Sequence, residues 1–550
     1  MCLKPQPPQP IPAEIAVWGE RHLDADSPYR LVGDTLFAQF NDADFTDLYH
    51  PEGKPALSPV LLAFVTIFQQ LEKLPDRAAA NAFETRLDWK YALHRPFDDE
   101  GFDPSVLVDF RQRLLDHEAE ARFFTAILSH FQAMGLLKTR GRQRTDSTHV
   151  LGAIRALNRL QTAGESMRLA LNALAEAAPD WLEGQVQRDW LKRYGSPFKE
   201  WHLPQGERER KELVEQIGQD GRLLLLAIYT PTTPEELRAL PAVDILRRVW
   251  IQQFYTDDEQ IRWRTAEELP PATLAINSPH DPQARYSKKR STIWVGYKVH
   301  LTESCDDETP RLITNVEVTP APIADTDMTG QIHQHLDDAE RLPATHLVDA
   351  GYVDAGHLVD SQREHQVDLF GPVPINGTWQ AKAGKGFDAN SFRVDWEAKI
   401  GYCPQGKASC SWQERQDGND NPVVTIAFRS ADCCRCEVRE DCTTSPRHGR
   451  KITIRLQEEH EALQAARQRQ QTAEFKQEYA LRAGIEGSLS QGVRRCGLRQ
   501  SRYVGEAKTR LQELFVATAL NIARVSTFLA GEAFKERAEQ PFVRLMHALA

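Results

Sequence analysis

One short stretch, RQRTDSTHV at residues 142–150, most constrains how this chain can fold. It follows a long helical pattern and has the character of a strand, in which successive side chains point to opposite faces. Asp146 lies in the middle of this stretch, so its carboxylate can point away from one face of the sheet while the adjacent side chains pack on the other face. Two distant segments carry further acids: HLVDAGY contains Asp349, and YALRAGIEGSLSQGVRR contains Glu486. The sequence predicts that these three acids meet at one site.

Length and composition limit the possible classes of protein. The 550 residues exceed the roughly 100–200 of one ordinary domain, so we expect several domains or one domain with large insertions. A net charge of -11 excludes a uniformly basic nucleic-acid binder, but it allows a local basic face. The N-terminus lacks the apolar core of a signal peptide, and the longest apolar run, at 223–229, is too short for a membrane span. We therefore expect a cytoplasmic protein with no membrane partner.

Alternating strand and helix patterns predict an α/β core that is interrupted by insertions and preceded by an all-α N-terminal domain. The predicted parts are a disordered tail at 1–13, a helical N-terminal domain at 14–140, an α/β catalytic core formed by 141–152, 285–375 and 460–530, a mainly helical insertion at 153–284, a cysteine-bearing insertion at 376–459, and a C-terminal tail at 531–550. The arginine-bearing helices of the N-terminal domain would suit DNA binding of the helix-turn-helix kind. A packing or dimerisation domain with solvated arginines explains the same pattern equally well.

The chemistry of the three acids points to metal ions. Two Mg²⁺ or Mn²⁺ ions about 4 Å apart can activate an attacking oxygen and stabilise a leaving one in phosphodiester cleavage, and both prefer oxygen ligands. Clustered carboxylates without a cation would repel one another. Tyr479, Arg482 and Glu486 are spaced i, i+3 and i+7, so a phenol, a cation and an acid share one helix face. Four other acids remain competitors on spacing alone: Asp325, Asp327, Asp354 and Asp360.

A basic stretch follows the third acid. Residues 476–510 contain eight Lys or Arg and three Glu, a local excess of positive charge in an acidic protein. Their predicted role is to neutralise DNA phosphates, although a solvated helix face would look the same. The candidate DNA-binding residues are Arg494, Arg495, Arg499, Arg502 and Lys508, with a weaker second cluster at 288–290.

Six of the nine cysteines lie between residues 403 and 442. Such clustering in one segment suggests a local metal site more than a disulfide framework. The candidate ligands of a structural Zn²⁺ are Cys403, Cys433, Cys436 and Cys442, with Cys410 and Cys434 as alternatives. Zinc binding and simple packing of reduced cysteines both remain open.

Four segments together resemble a known family: TDSTHVLGAIRALNRL, WVGYKVHLTES, HLVDAGYVDA and the run from YALRAGIEGSLS to ATALNIAR. They are similar to the DDE transposases of bacterial insertion sequences, specifically the group numbered eleven eighty-two, over about residues 15–530. The resemblance implies a ribonuclease-H-like mixed sheet with flanking helices. It places Asp146 on the first strand, Asp349 just after the fourth and Glu486 on a later helix, with all three as catalytic metal ligands.

The resemblance also implies a reaction and its partners. The expected activity is hydrolysis at the ends of the element, followed by attack of the freed 3′ hydroxyl on target DNA. The expected partners are double-stranded DNA, as terminal inverted repeats and target, and a second copy of the chain or more when assembled on DNA at the bacterial nucleoid. Related families carry Tyr, Arg, Glu and Lys at fixed spacing. Tyr479, Arg482 and Glu486 match, but Val493 stands at the lysine position, with Arg494 beside it.

Two alternatives remain at this stage. A metal-dependent nuclease would cut DNA without joining it. A DNA-binding repressor with a decayed site would cut nothing under any divalent metal, although the presence of all three acids favours a working site.

Overall fold

The structure is a computed structural model that describes residues 1–155, 157–258, 260–374, 377–382 and 387–531, together with residue 546. The predicted C-terminal tail lies outside the described residues except for residues 531 and 546. The first 140 residues are helical: α1 (Ala13–His22), α2 (Pro28–Leu31), α3 (Pro59–Glu72), α4 (Asp76–Thr85), α5 (Leu87–Ala92), α6 (Ser105–Asp116) and α7 (Arg122–Ala133). The Ser58 side chain accepts a hydrogen bond from the Leu61 N–H and begins α3, which is apolar and buried on nearly all sides.

A mixed sheet follows the helices. It contains β1 (Arg142–Leu151), β4 (Arg285–Lys289), β5 (Thr292–Ser304), β6 (Ile313–Pro320), β7 (Thr345–Leu347) and β8 (Asp368–Phe370). β1 pairs antiparallel with β5 and parallel with β7; β6 pairs antiparallel with β5, and β8 pairs parallel with β7. β4 forms a hairpin with the beginning of β5. The helices α13 (Thr329–Asp338) and α14 (Ala355–His365) connect the parallel strands. The predicted ribonuclease-H-like α/β fold is confirmed.

Two segments interrupt this core and have apolar clusters of their own. The first contains α8 (Arg159–Ala177), α9 (Pro179–Glu183), α10 (Trp190–Tyr194), α11 (Glu207–Ile228), α12 (Pro241–Gln253) and the hairpin of β2 (Phe254–Asp257) and β3 (Gln260–Trp263). The second contains α15 (Trp379–Lys382), β9 (Arg393–Asp395), β10 (Ile400–Tyr402), β11 (Ser411–Gln416), β12 (Pro422–Ala427), α16 (Ser430–Cys434), α17 (Arg439–Cys442) and β13 (Lys451–Arg455). Their division into separate domains stays a prediction.

The C-terminal helices close the core. They are α18 (Gln457–Arg469), α19 (Ala473–Ala480), α20 (Gly484–Cys496) and α21 (Glu506–Leu529). α21 is buried along most of its length and packs against both α3 and β6. Its apolar side chains therefore join the N-terminal helices and the sheet into one continuous cluster. None of the described helices is long and apolar enough to cross a membrane.

A buried ionic network ties the sheet to the last helices. The Glu303 carboxylate on β5 accepts hydrogen bonds from Arg144 Nε at 2.7 Å and from Arg524 Nη1 at 3.0 Å. The Ser488 hydroxyl on α20 donates to the same carboxylate. The side chains of Glu303, Arg144 and Arg524 are 0%, 2% and 3% exposed. Because buried charges are stable only when paired, this network fixes α20 and α21 against β1 and β5.

Candidate active site

Sheet register brings the first two acids together. β1 and β7 are parallel neighbours, with Arg144 opposite Leu347. Asp146 lies two residues after Arg144, and Asp349 lies two residues after Leu347. The two carboxylates therefore lie side by side near the carboxyl end of β7. The Gly351 N–H donates to Asp349 Oδ1 at 2.8 Å and orients that side chain at the turn after β7. Ligands commonly gather at such carboxyl ends of parallel strands.

The third acid comes from α20, which packs across β1. Glu486 lies in the first turn of this helix, and its side chain is 69% exposed. Gly484 precedes it at a point of close approach, because a Cβ there would lie 2.1 Å from Arg144 Nη1. The Arg144 guanidinium also donates to the Leu481 carbonyl just before the helix. A Cβ on Gly487 would have no neighbour within 4 Å, so close packing explains Gly484 but not Gly487.

One guanidinium contacts all three acids. Arg482 Nη2 lies 2.6 Å from Asp146 Oδ2 and 3.7 Å from Asp349 Oδ2, and Nη1 lies 3.5 Å from Glu486 Oε1. The Arg482 side chain is only 13% exposed, so these interactions occur in a partly desolvated pocket. The structure therefore brings together the three acids and the cation that the sequence singled out.

The electrostatics of the site reflect burial opposed by this cation. Burial raises the pKa of Asp146 above its ordinary value, although the charge of Arg482 opposes the rise. Burial likewise raises the pKa of Tyr479, whose ring stacks on Phe475 at 5.5 Å between centroids. Tyr352 lies fully buried behind the acids and contacts His300 Nδ1 through its hydroxyl at 2.6 Å. Asp146 is the more buried of the two aspartates, with a side chain 13% exposed against 32% for Asp349.

The four competing acids separate clearly. Asp354 caps α14, Asp360 pairs with Arg363, and Asp327 accepts the Ala324 N–H. Asp325 alone lies beside the site: a Cβ on Gly351 would meet both its carboxylate and that of Asp349. Burial would raise the pKa of Asp325, but its hydrogen bond from Lys298, at 2.8 Å, lowers that pKa overall.

Lys298 on β5 neutralises Asp325, although it is not among the site residues predicted from the sequence. The sequence had no signal for it, because the pairing depends on the path of the loop after β6. Lys289 lies 3.9 Å from Asp325 and also opposes the raised pKa of Asp146. The weaker basic cluster at 288–290 therefore borders the acids.

The donor chemistry of the site suits a hard divalent ion, because three carboxylates already surround a shared positive charge. Throughout the described ranges, no three His, Cys, Asp or Glu side chains are already arranged as a metal-binding cluster. The guanidinium of Arg482 takes the place between the carboxylates that a metal ion would need. Metal binding would therefore require Arg482 to move outward.

The predicted DNA-binding arginines divide into two groups. Arg494 and Arg495 are exposed at the end of α20, and Lys508 is exposed at the beginning of α21. Arg499 is also exposed, and its Nε donates to the Thr148 hydroxyl at 2.9 Å, beside Asp146 on β1. Arg502 instead donates to the Leu74 carbonyl at 2.6 Å and helps hold the end of α3.

Most of the cations in the N-terminal helices make internal contacts. Lys90 is buried and donates to three backbone carbonyls between residues 96 and 99. Arg111 pairs with Asp76, and Arg86 pairs with Glu72 and Asp88. These contacts stabilise the helices against one another. DNA binding by this region stays a prediction.

The structure distinguishes among the clustered cysteines. One cavity of about 460 Å³ is lined by four of them: Cys403, Cys433, Cys436 and Cys442. The two alternatives, Cys410 and Cys434, are exposed and lie outside its lining.

Comparison with known families identifies the class of protein. Residues 402–526 match the family model described as Transposase DDE domain, and residues 18–113 match the one described as Transposase domain (DUF772). The two matches indicate a DDE-type insertion-sequence transposase. No curated protein and no solved structure gives a significant match.

The matched segments of the transposase include Glu486, while Asp146 and Asp349 lie between them. The predicted family, enzyme class and function are confirmed. DDE transposases bind DNA and generally use divalent metal ions. The specific group and the roles of the individual residues stay predictions.

Proposed function

We propose that Asp146, Asp349 and Glu486 are the catalytic acids of this transposase, and that they hold two Mg²⁺ or Mn²⁺ ions. The observation that carries the proposal is the single guanidinium of Arg482, within 4 Å of a carboxylate oxygen from each acid. Asp349 and Glu486, which follow Asp146 by 203 and 340 positions in the sequence, thus converge with it on one positive charge. Carboxylates gathered in this way favour a cation between them.

The residues have distinct tasks in this proposal. Asp146 and Asp349 leave rigid parallel strands and set the spacing of the site. Glu486 is more exposed and completes the ligand set from the first turn of its helix. Arg482, once displaced, supports a DNA phosphate, and Tyr479 packs beside it as a positioning residue. When bound, the metal ions would activate the attacking oxygen and stabilise the leaving one.

The DNA partners follow from the reaction. The transposase cuts phosphodiester bonds at the terminal inverted repeats of its element. The freed 3′ hydroxyl then attacks a phosphodiester bond of target DNA and displaces the 3′ oxygen of the target strand. Phosphate contacts come from the exposed basic residues that follow the third acid: Arg494, Arg495, Arg499 and Lys508. Because two ends must be joined, the active form contains at least two copies of the chain. It works on DNA in the bacterial cytoplasm. Structural zinc would play no part in this chemistry.

The direct test uses matched aspartate variants. Asp349→Asn should abolish cleavage of end-containing duplex in Mg²⁺ while specific DNA binding, measured by fluorescence anisotropy, persists. Asp360→Asn is the control, because Asp360 is an exposed partner of Arg363. This variant should cleave the DNA at the wild-type rate. Cleavage by Asp349→Asn at the wild-type rate would refute the assignment of this acid.

Product analysis separates the alternatives. Incubation of pre-cleaved ends with a supercoiled plasmid should give joined products. A simple nuclease would give cut ends without joining, and a decayed repressor would bind the ends and leave them uncut in Mg²⁺ and Mn²⁺.

A further inference from the structure

We propose that the cysteine-bearing insertion holds a structural zinc ion between four thiolates: Cys403, Cys433, Cys436 and Cys442. All four line one cavity of about 460 Å³ beside the three-stranded sheet of β11, β12 and β13. Thiolate sulfur is a preferred ligand of structural zinc, which such sites hold in tetrahedral geometry. The site lies apart from the three acids and does not depend on their role.

Backbone geometry prepares two of the sulfurs. The Lys407 N–H donates to Cys403 Sγ at 3.3 Å, and the Arg450 N–H donates to Cys433 Sγ at 3.4 Å. The first contact depends on the tight turn after Cys403, where Gly406 has a φ of +76° that other residues rarely adopt. Amide groups directed at sulfur stabilise its thiolate form and orient metal ligands.

A second glycine supports the same arrangement. A Cβ on Gly449 would lie 1.9 Å from the Phe428 carbonyl oxygen, so only glycine lets the chain pass this close to the end of β12. This passage delivers the Arg450 amide to Cys433. Two separate turns, more than forty residues apart, thus supply N–H donors to sulfurs on the same cavity.

The charge balance also favours a cation. The thiols of Cys403, Cys433, Cys436 and Cys442 border the same cavity. Four adjacent thiolates would repel one another, whereas a divalent ion stabilises them as each thiol releases its proton to solvent. Arg450 and other basic side chains on the cavity offset the negative charge of a zinc ion with four thiolates: Lys407, Arg435 and Arg439.

The packing of the insertion gives the ion a structural task. The buried apolar cluster here is small: Phe392, Val424, Ile426, Phe428, Ile452 and Ile454. Small modules with limited cores commonly require a metal or a disulfide for stability. The described residues show no three side chains already at ligand spacing. Closure therefore requires the cysteines to rotate toward the cavity centre between staggered rotamers.

The test measures metal in the full-length chain. Protein purified without added metal or chelator should contain one zinc ion per chain by mass spectrometry of the digested sample. Cys433→Ser and Cys436→Ser should lose that zinc, whereas Cys410→Ser and Cys434→Ser should retain it. The second pair is matched, because these cysteines belong to the same segment but lie outside the cavity.

A second measurement does not depend on how the variants fold. Wild-type protein reconstituted with Co²⁺ should show the visible absorption of tetrahedral cobalt and intense sulfur-to-metal charge transfer. Removal of the metal should expose residues 387–455 to limited proteolysis while α20 and α21 stay protected. Wild-type protein without zinc and without a cobalt spectrum would overturn the proposal. Equal loss of zinc from Cys434→Ser and Cys433→Ser would overturn the ligand set.

Discussion

Replacement of Glu303 by Gln tests whether the buried ionic network holds the active-site elements together. The substitution preserves the volume of the side chain but removes the negative charge between Arg144 and Arg524. Both guanidiniums are at most 3% exposed, so solvent cannot replace the lost partner. Breaking a buried ion pair from one side typically costs about 3–5 kcal/mol. We expect a loss of that order in the free energy of local opening.

Hydrogen–deuterium exchange measures this loss where it should occur. At 1.4 kcal/mol per tenfold change, amide exchange in β1 and α20 should accelerate by about 100- to 4000-fold. Amides of the helical insertion at 160–263 have their own apolar cluster and should keep their rates. Glu212→Gln is the control, because the Arg208–Glu212 pair is exposed on α11. Unchanged protection of β1 in Glu303→Gln would refute the reasoning.

Three further predictions concern charge. Arg494→Ala should lower the slope of log affinity against log salt for DNA by about one, whereas Arg502→Ala should not, because Arg502 contacts the protein backbone; equal slopes would contradict this DNA path. Burial lowers the pKa of His333 to about 4. Between pH 6.5 and 4, His333 is therefore protonated in the unfolded chain but neutral in the folded one. Stability should fall by about 3 kcal/mol across that range, and urea unfolding of His333→Gln should show a weaker pH dependence; an equally steep loss would exclude His333. Arg482→Gln should raise the pKa of Asp146 further in the metal-free protein, as measured by NMR titration of the Asp146 carboxyl; an unmoved pKa would argue against this coupling.

The sequence predicted the elements of the active site better than their arrangement. Asp146 within a strand and Glu486 on a helix follow from local periodicity, which is written in neighbouring residues. The side-by-side placement of Asp146 and Asp349 depends on the pairing of β1 with β7 across about 200 residues, which no local pattern contains. The reach of Arg482 to Asp146 similarly depends on how Gly484 packs on Arg144.

The roles of surface residues are harder to predict from the sequence for the same reason. Spacing could not choose among six clustered cysteines, because the cavity is formed by turns that lie far apart in the sequence. An aromatic residue in a basic stretch, such as Tyr503, has the sequence signature of a stacking partner for DNA bases, but here the Arg111 guanidinium lies 4.9 Å from the ring centroid. An arginine on a helix has the same sequence signature whether it faces a phosphate or a carbonyl of its own chain.

The packing of α21 against α3 has a consequence for the synthesis of the protein. These helices are separated by more than 430 residues, and each buries its apolar side chains against the other. At about 5–20 residues per second, the ribosome needs on the order of tens of seconds to make the intervening chain. The apolar surface of α3 therefore stays exposed until α21 is translated near the end of the chain. Products of premature termination before residue 506 would leave that surface exposed to chaperones and proteases.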